Sequence, residues 1–222
     1  PRGPAPKIPS QQPKPSDQYN FTDPESRIMK AGNGQHFEPS YNAQAAVEVD
    51  SRLIVGERVS QAPNDKQELV PSVAAIAKPV ASVAEVLTDS GFYSEAAVQR
   101  VEQTREGQPT GTTVYAALEK KEHPRTVSDL EKKPEPSTPG PGASTSEVMK
   151  HRLKTAAGRA KYKLRQQTVE PVFGIIKSVL GFRQFLLRGL KKVALEWQLV
   201  CLAYNLKRLH RMGAGLKMVG QG

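Results

Sequence analysis

The chain has 222 residues, of which 37% are hydrophobic and 6% aromatic, with a net charge of +10 and one cysteine. This length allows one core of ordinary size with flexible additions, and a single cysteine excludes an internal disulfide. Because no apolar run approaches the roughly 20 residues of a membrane span, we expect a cytoplasmic protein.

Positive charge is concentrated toward the C-terminus. From Glu147 to Gly222 there are 16 Lys and Arg residues against three glutamates, a balance of +13 that leaves −3 for the rest of the chain. This asymmetry predicts a polyanion-binding C-terminal part attached to a near-neutral body. An ordinary solvated helix surface is the alternative, but such a surface normally carries balancing acids.

The first predicted elements are a β-hairpin and a helix. Two β-branched runs, 41–50 and 52–60, are separated by a short polar break, which is typical of a hairpin. Asn64 followed by Gln67 resembles a capping box, and it predicts a helix over 65–77.

The middle of the chain has an α/β pattern. An apolar run at 83–88 predicts a short buried strand that ends at Asp89, and Ser94 is suited to cap a helix over 95–103. A further strand is expected at 112–117. Strands that alternate with helices in this way predict an α/β fold.

The C-terminal part is predicted to be helical throughout. Three helices are expected, over 147–166, from Thr168 to about 180, and over 190–211. Thr168 as a cap would place Pro171 in a first turn, where proline is tolerated. Residues at three- and four-residue spacing predict the buried face of the last helix: Leu190, Val193, Trp197, Cys201 and Tyr204.

Composition divides the chain into five parts. They are a disordered, Pro-rich lead-in (1–20), an α/β part (21–119), a Pro/Gly-rich linker or insertion (120–146), a helical part (147–212) and a tail (213–222).

Two carboxylates stand out by position. Asp89 directly follows a strand, where α/β proteins gather functional groups, although Asp-Ser-Gly is also a common turn. Glu170 lies within a basic helix, although any glutamate near a helix start is favoured by the helix dipole. Together the two could supply hard oxygen ligands for Mg²⁺. Lys177 lies two helical turns beyond Glu170, so both project from one face and suit a phosphate chain.

Six short motifs follow one another along residues 21–212. They are Asp23-Pro-Glu-Ser-Arg-Ile-Met, Tyr41-Asn-Ala-Gln-Ala-Ala-Val, Thr88-Asp-Ser-Gly-Phe-Tyr-Ser, Gly158-Arg-Ala-Lys-Tyr-Lys-Leu-Arg, Val169-Glu-Pro-Val-Phe-Gly-Ile-Ile-Lys and Phe185-Leu-Leu-Arg-Gly-Leu. In this order they resemble the C-terminal part of the DDE transposases of bacterial insertion sequences.

The resemblance implies a ribonuclease H-like fold, here incomplete. In that family three acids hold two divalent metal ions, Mg²⁺ or Mn²⁺, cut DNA at the element ends and join the free 3′ hydroxyls to target DNA. It implies that Asp89 is the second catalytic acid and Glu170 the third, both as metal ligands. It also implies a homodimer on DNA at the nucleoid. The tyrosine–arginine–glutamate–lysine signature of the family maps onto Tyr162, Arg165, Glu170 and Lys177, which makes Tyr162, Arg165 and Lys177 DNA-binding candidates. Arg183, Arg188 and Lys191 continue the positive charge beyond them and are predicted to bind DNA as well.

The first acid of the family has no match in this chain. In the family it lies on an early strand in an Asp-Gly-Thr or Asp-Ser-Thr context, and neither tripeptide occurs here. Asp50 is the only strand-end substitute. We therefore expect a fragment that lacks the first acid. The alternatives are a non-catalytic DNA-binding remnant of a transposase and a nuclease of related fold.

Overall fold

The computed structural model describes residues 18–30, 36–76, 82–118 and 135–213. These residues form a mixed α/β structure, as predicted. Most of the predicted lead-in, linker and tail lies outside the described residues. No helix in the described ranges is long and apolar enough to cross a membrane.

The strands pair two by two. The first two pairs, β1 with β2 and β3 with β4, are antiparallel, whereas β5 and β6 are parallel. The bounds are Arg27–Lys30 (β1), Phe37–Ser40 (β2), Asn42–Val47 (β3), Ile54–Ser60 (β4), Glu85–Thr88 (β5) and Thr113–Ala116 (β6). The β3–β4 pair confirms the predicted hairpin, and β5 and β6 confirm the two later strands.

Five α-helices complete the described structure. They are Leu69–Ala74 (α1), Glu95–Glu102 (α2), Thr145–Lys154 (α3), Ala156–Ser178 (α4) and Leu190–Arg211 (α5). Ser94 caps α2 as predicted, since its hydroxyl accepts a hydrogen bond from the backbone N–H of Ala97 at 3.2 Å. The α2 helix connects β5 to β6, which makes a strand–helix–strand unit with parallel strands.

The helix predicted over 65–77 is divided in the structure. Asn64 accepts from the N–H of Lys66 rather than Gln67, and this tight turn begins a short 3₁₀ helix, Asp65–Gln67. The α1 helix begins only at Leu69. Pro71 lies in its first turn, where the missing N–H costs nothing, so the proline favours a start at this point.

The break predicted between residues 166 and 168 is wrong. The chain breaks at Thr155, whose hydroxyl accepts from the N–H of Gly158 at 3.0 Å and caps α4. Thr168 does not cap a helix, because its hydroxyl donates to the carbonyl of Leu164 at 2.7 Å, inside α4. The helix therefore continues through Pro171.

Packing explains why α4 tolerates an internal proline. Thr168, Val172 and Ile176 recur at four-residue spacing and are all buried, while Pro171 is exposed. Proline costs a helix interior one backbone hydrogen bond. Burial of the neighbouring apolar stripe outweighs that loss, as tertiary packing commonly overrides local propensity.

Two hydrophobic clusters hold the described residues together. One joins α1, α2, β6 and α3 through Leu69, Val98, Val114 and Met149. The other joins the β3–β4 hairpin, α4 and α5, and its members are Ile54, Val172, Ile176, Trp197, Cys201 and Tyr204. The structure confirms four of the five residues of the predicted buried face of α5, since Val193, Trp197, Cys201 and Tyr204 are buried, whereas Leu190 is only half-buried.

The first of the six motifs holds the start of α5. The buried carboxylate of Asp23 accepts from the hydroxyl of Tyr41 at 2.9 Å and from the N–H of Gly189 at 3.3 Å. Glu25 accepts from the N–H of Leu190 at 3.0 Å. Two acids at a helix N-terminus satisfy its free N–H groups and complement its dipole.

Candidate active site

Asp89 lies at the carboxyl end of β5, as predicted. It caps the 3₁₀ helix Ser90–Phe92, since its Oδ1 accepts from the N–H of Gly91 at 2.8 Å. A Cβ at Gly91 would lie only 3.0 Å from that oxygen, so the turn leaves no room for a side chain. The Asp89 side chain is half-buried, and its carboxylate points back onto the turn that it caps.

Asp65 is a second acid at this place, and sequence reasoning missed it. Its carboxylate lies 3.6 Å from the position that a Cβ of Gly91 would occupy, so Asp65 and Asp89 both lie close to Gly91. Asn42 and Gln44 on β3 donate amide hydrogen bonds to Asp65 at 2.8 and 2.7 Å. The sequence contains little signal for it, because Asp65 comes five residues after the end of β4, whereas Asp89 directly follows β5.

The α4 helix brings the basic motif to the same edge of the parallel pair. The helix packs against β5 and β6. Tyr162 lies half-buried beside the backbone of Ala117, just past β6, and within electrostatic range of Asp89. Burial raises the pKa of Tyr162, and the Arg165 cation opposes that rise. Tyr162 and the ion pair of Lys161 with Glu85 therefore connect α4 to the β5–β6 pair.

Arg165 continues this chain of contacts toward Glu170. Its guanidinium lies 5.8 Å from the ring centroid of Tyr162, within range of a cation–π interaction. Its Nη2 is 3.9 Å from a carboxylate oxygen of Glu170, a loose ion pair. The buried Nε of Arg165 has no hydrogen-bond partner among the described residues. Tyr162, Arg165 and Glu170 thus form one contiguous row on α4.

Glu170 and Lys177 face solvent on α4. The side chain of Glu170 is 62% exposed, and Lys177 is also exposed. Their seven-residue separation corresponds to about 10.5 Å along the helix axis. Both groups are therefore accessible to a polyanion that approaches this face.

The remaining predicted DNA-binding residues flank the two C-terminal helices. Arg183 and Arg188 lie in the segment between α4 and α5, and Lys191 lies in the first turn of α5 beside Lys192. All four are exposed, and none pairs with a carboxylate within the described ranges. They form a basic surface next to Lys177 in sequence.

Asp50 is placed away from Asp65 and Asp89. It lies in the exposed turn between β3 and β4. Asn42, at the opposite end of β3, is the residue that contacts Asp65. The length of β3 alone, about 17 Å at 3.3–3.4 Å per residue, therefore separates Asp50 from the turn of Asp89.

The donor chemistry suits a hard cation, but the ligand set is small. Carboxylate oxygens such as those of Asp89 and Glu170 are the ligands that Mg²⁺ prefers. Within the part of the chain that the structure describes, no three His, Cys, Asp or Glu side chains are grouped so as to hold a metal ion. These residues by themselves do not fit a two-metal centre.

A comparison with known protein families finds a match in the part of the chain that contains α4 and α5. Residues 137–210, about a third of the chain, match the family model of the transposase DDE domain. The match includes α4 and nearly all of α5, is consistent with a DDE transposase, and confirms the resemblance seen in the sequence. It does not extend to Asp89. No curated protein and no solved structure gave a significant match.

Proposed function

We propose that this chain acts in DNA transposition of the DDE type, as part of an incomplete ribonuclease H-like catalytic domain that cleaves insertion-sequence ends and transfers the strands. One observation supports this above the others. The α4 helix, inside the segment that matches the transposase DDE domain, brings Tyr162 beside the turn of Asp89 and carries Arg165 and Glu170 in one row.

In this proposal Asp89 and Glu170 are the second and third acids. They would hold a divalent ion, Mg²⁺ or Mn²⁺, and such an ion would stabilise negative charge on the phosphate. Arg165 neutralises and orients Glu170 until DNA arrives. Tyr162 packs α4 against the β5–β6 edge, and Lys177 binds a phosphate about two helical turns beyond Glu170.

The basic surface binds the DNA backbone. Arg183, Arg188 and Lys191 are exposed cations on the segment before α5 and on its first turn, so they suit sequence-independent phosphate contacts. Two DNA ends must be joined in one event, so the proposed assembly contains two copies of the chain.

A second function competes for the same residues. A remnant that binds DNA without cutting it would need only the basic surface, and the small ligand set among the described residues favours it. The two functions differ in whether Asp89 and Glu170 matter for anything beyond folding.

The deciding experiment is plasmid cleavage with Mg²⁺ by the longest reading frame that carries these residues. Asp89→Asn and Glu170→Gln keep side-chain shape and remove charge, so each should abolish nicking and leave DNA affinity within about threefold, since neither contributes positive charge. Glu106→Gln, in the exposed loop at the amino end of β6, is the matched control and should nick normally. Full nicking by either acid variant would remove that acid from the site, and absence of nicking in every protein would favour the remnant.

A further inference from the structure

Asp65 is an acid beside the proposed site to which the proposed function gives no role. It opens the short 3₁₀ helix Asp65–Gln67, between β4 and α1. Its Oδ1 accepts from the side-chain amide of Asn42 at 2.8 Å and from that of Gln44 at 2.7 Å. Both donors lie on β3, so one carboxylate oxygen attaches Asp65 to the β3–β4 hairpin.

The hairpin residues that bind Asp65 are themselves held in place. Gln44 is buried, and its Nε2 also donates to Oδ1 of Asn42 at 2.7 Å, which joins the two amides. The carbonyl of Gln44 accepts from Trp197 Nε1 at 2.9 Å, in the cluster that joins the hairpin, α4 and α5. Asn42 donates in addition to the carbonyl of Ala62 at 3.2 Å. The position of Asp65 is thus set by the part of the molecule that contains α5 and the C-terminal half of α4.

The other side of Asp65 lies against the turn of Asp89. Its Oδ2 and Cβ are 3.6 and 3.7 Å from the position that a Cβ of Gly91 would occupy. The N–H of Gly91 donates to Asp89 Oδ1 at 2.8 Å, and this bond closes the turn. The 3₁₀ helices Asp65–Gln67 and Ser90–Phe92 are also in contact. Asp65 therefore packs on the residue that binds the Asp89 carboxylate.

We propose that Asp65 is a positioning residue, which keeps the turn of Asp89 in a fixed place relative to the β3–β4 hairpin. The inference rests on the proposed function, in which Asp89 and Glu170 act together. Glu170 lies on α4, which packs on the hairpin, whereas Asp89 follows β5, whose partner strand among the described residues is β6. Asp65 connects the two parts, because its hydrogen bonds reach the hairpin and its packing reaches Gly91.

A direct role for Asp65 as a third acid is the competing explanation. Two amides already donate to its Oδ1, and among the described residues no three His, Cys, Asp or Glu side chains are grouped so as to hold a metal ion. A positioning role needs only the hydrogen bonds and the packing, whereas a ligand role needs the negative charge as well. The two roles therefore predict different results for asparagine and alanine at this position.

Asp65→Asn and Asp65→Ala separate the two roles. Both donors bind the same oxygen, so an asparagine can accept both hydrogen bonds through its own Oδ1 and fill the same volume. Alanine removes the acceptor, leaves both amides without it and opens the space beside Gly91. We therefore expect Asp65→Asn to keep the turn in place and Asp65→Ala to release it.

The first test measures hydrogen exchange of the Gly91 amide by NMR in the chain of residues 1–222, without DNA or metal. This amide reports the turn, because its N–H donates to Asp89. Asp65→Ala should raise the exchange rate at least about tenfold, whereas Asp65→Asn should change it less than about threefold. Asp89→Ala removes the acceptor and gives the rate of the open turn. Glu106→Ala, at an exposed acid in the loop before β6, is the matched control and should exchange as the wild type does.

The second test measures plasmid nicking with Mg²⁺ by the longest reading frame that carries these residues. Asp65→Ala should lower the nicking rate at saturating DNA about ten- to a hundredfold, because a displacement of about 1 Å at a reacting group costs up to that much. DNA affinity should stay within about threefold, since Asp65 contributes no positive charge. Asp65→Asn should restore the rate to within about threefold of the wild type. A merely structural role would lower the folded fraction instead, which circular dichroism measures on the same samples.

A milder variant keeps the test decisive if Asp65→Ala does not fold. Asn42→Ala removes one of the two donors at a half-buried position at the end of β3, and it should raise Gly91 exchange at least about threefold. Unchanged Gly91 exchange in the folded variant would overturn the positioning role.

Two nicking results would also overturn it. They are a wild-type rate in folded Asp65→Ala, and a loss in Asp65→Asn as complete as that in Asp89→Asn, which would make Asp65 a catalytic acid. Absence of nicking in every protein, the wild type included, would refute the proposed function instead. Hydrogen exchange at Gly91 would still decide whether Asp65 holds the turn.

Discussion

DNA affinity should depend steeply on salt because of five exposed cations on the C-terminal helices and the segment between them. They are Lys177, Arg183, Arg188, Lys191 and Lys192. Neutralising five phosphates releases their counterions, which gives a slope of about −4.5 for log affinity against log salt concentration. Raising the salt from about 50 to 200 mM should then weaken binding about 500-fold.

The informative change is the double variant Lys191→Gln, Lys192→Gln. Both side chains lie exposed in the first turn of α5, and neither pairs with a carboxylate among the described residues. Loss of two contacts should reduce the slope to about −2.7, so the same increase in salt should weaken binding only about 40-fold. Binding should weaken equally for unrelated DNA sequences, because phosphate contacts carry no sequence information.

The assay is fluorescence anisotropy of a labelled duplex at four or more salt concentrations. Arg105→Gln is the matched control, because Arg105 is an exposed cation in the loop at the amino end of β6, opposite the edge of Asp89. It should leave the slope unchanged. A wild-type slope near zero, or equal slopes for the wild type and the double variant, would refute the assignment of this surface to DNA.

Three further predictions follow from other parts of the molecule. Residues 1–222 alone should bind DNA but should neither nick nor join supercoiled plasmid with Mg²⁺ or Mn²⁺. If the chain did nick the plasmid, and Asp50→Asn or Asp65→Asn removed that nicking, one of these acids would complete the site. Asn205→Ala should lower the free energy of unfolding, measured in urea, by about 2–4 kcal/mol, because the Asn205 side chain bonds both the N–H and the carbonyl of Ile54, at 2.9 and 2.8 Å. Gln198→Ala, at an exposed position, is the control, and an equally small effect of Asn205→Ala would contradict the prediction. Burial raises the pKa of Cys201 to about 12, so Ellman's reagent should label the thiol at pH 8 only after unfolding, and rapid labelling of the native protein would disprove its burial.

Local patterns predicted the elements that depend on neighbours in sequence. The hairpin, the two parallel strands and the Ser94 cap all follow from period, β-branched residues and capping chemistry within a few positions. The buried face of α5 was also predictable, because its spacing at Val193, Trp197, Cys201 and Tyr204 is regular.

Contacts between residues far apart in sequence determine two features that the sequence did not predict, the continuity of α4 and the position of Asp65. Pro171 argued for a helix start, but the burial of Val172 and Ile176 against α5 and the hairpin keeps α4 continuous through it. Asp65 drew no interpretation from the sequence. In the structure its carboxylate accepts from Asn42 and Gln44, more than twenty residues earlier in the chain, and lies close to Gly91.

The continuity of α4 determines where its acid lies. The N-terminal half of the helix is fixed by Tyr162 against the β5–β6 edge, and the C-terminal half by Val172 and Ile176 in the cluster with α5. Glu170 lies between these two attachments. Its position relative to Asp89 therefore depends both on the contacts at the N-terminal half of α4 and on the hydrophobic cluster with α5. A helix broken at residues 166–168 would free the half that carries Glu170, whereas one continuous helix fixes Glu170 relative to both attachments.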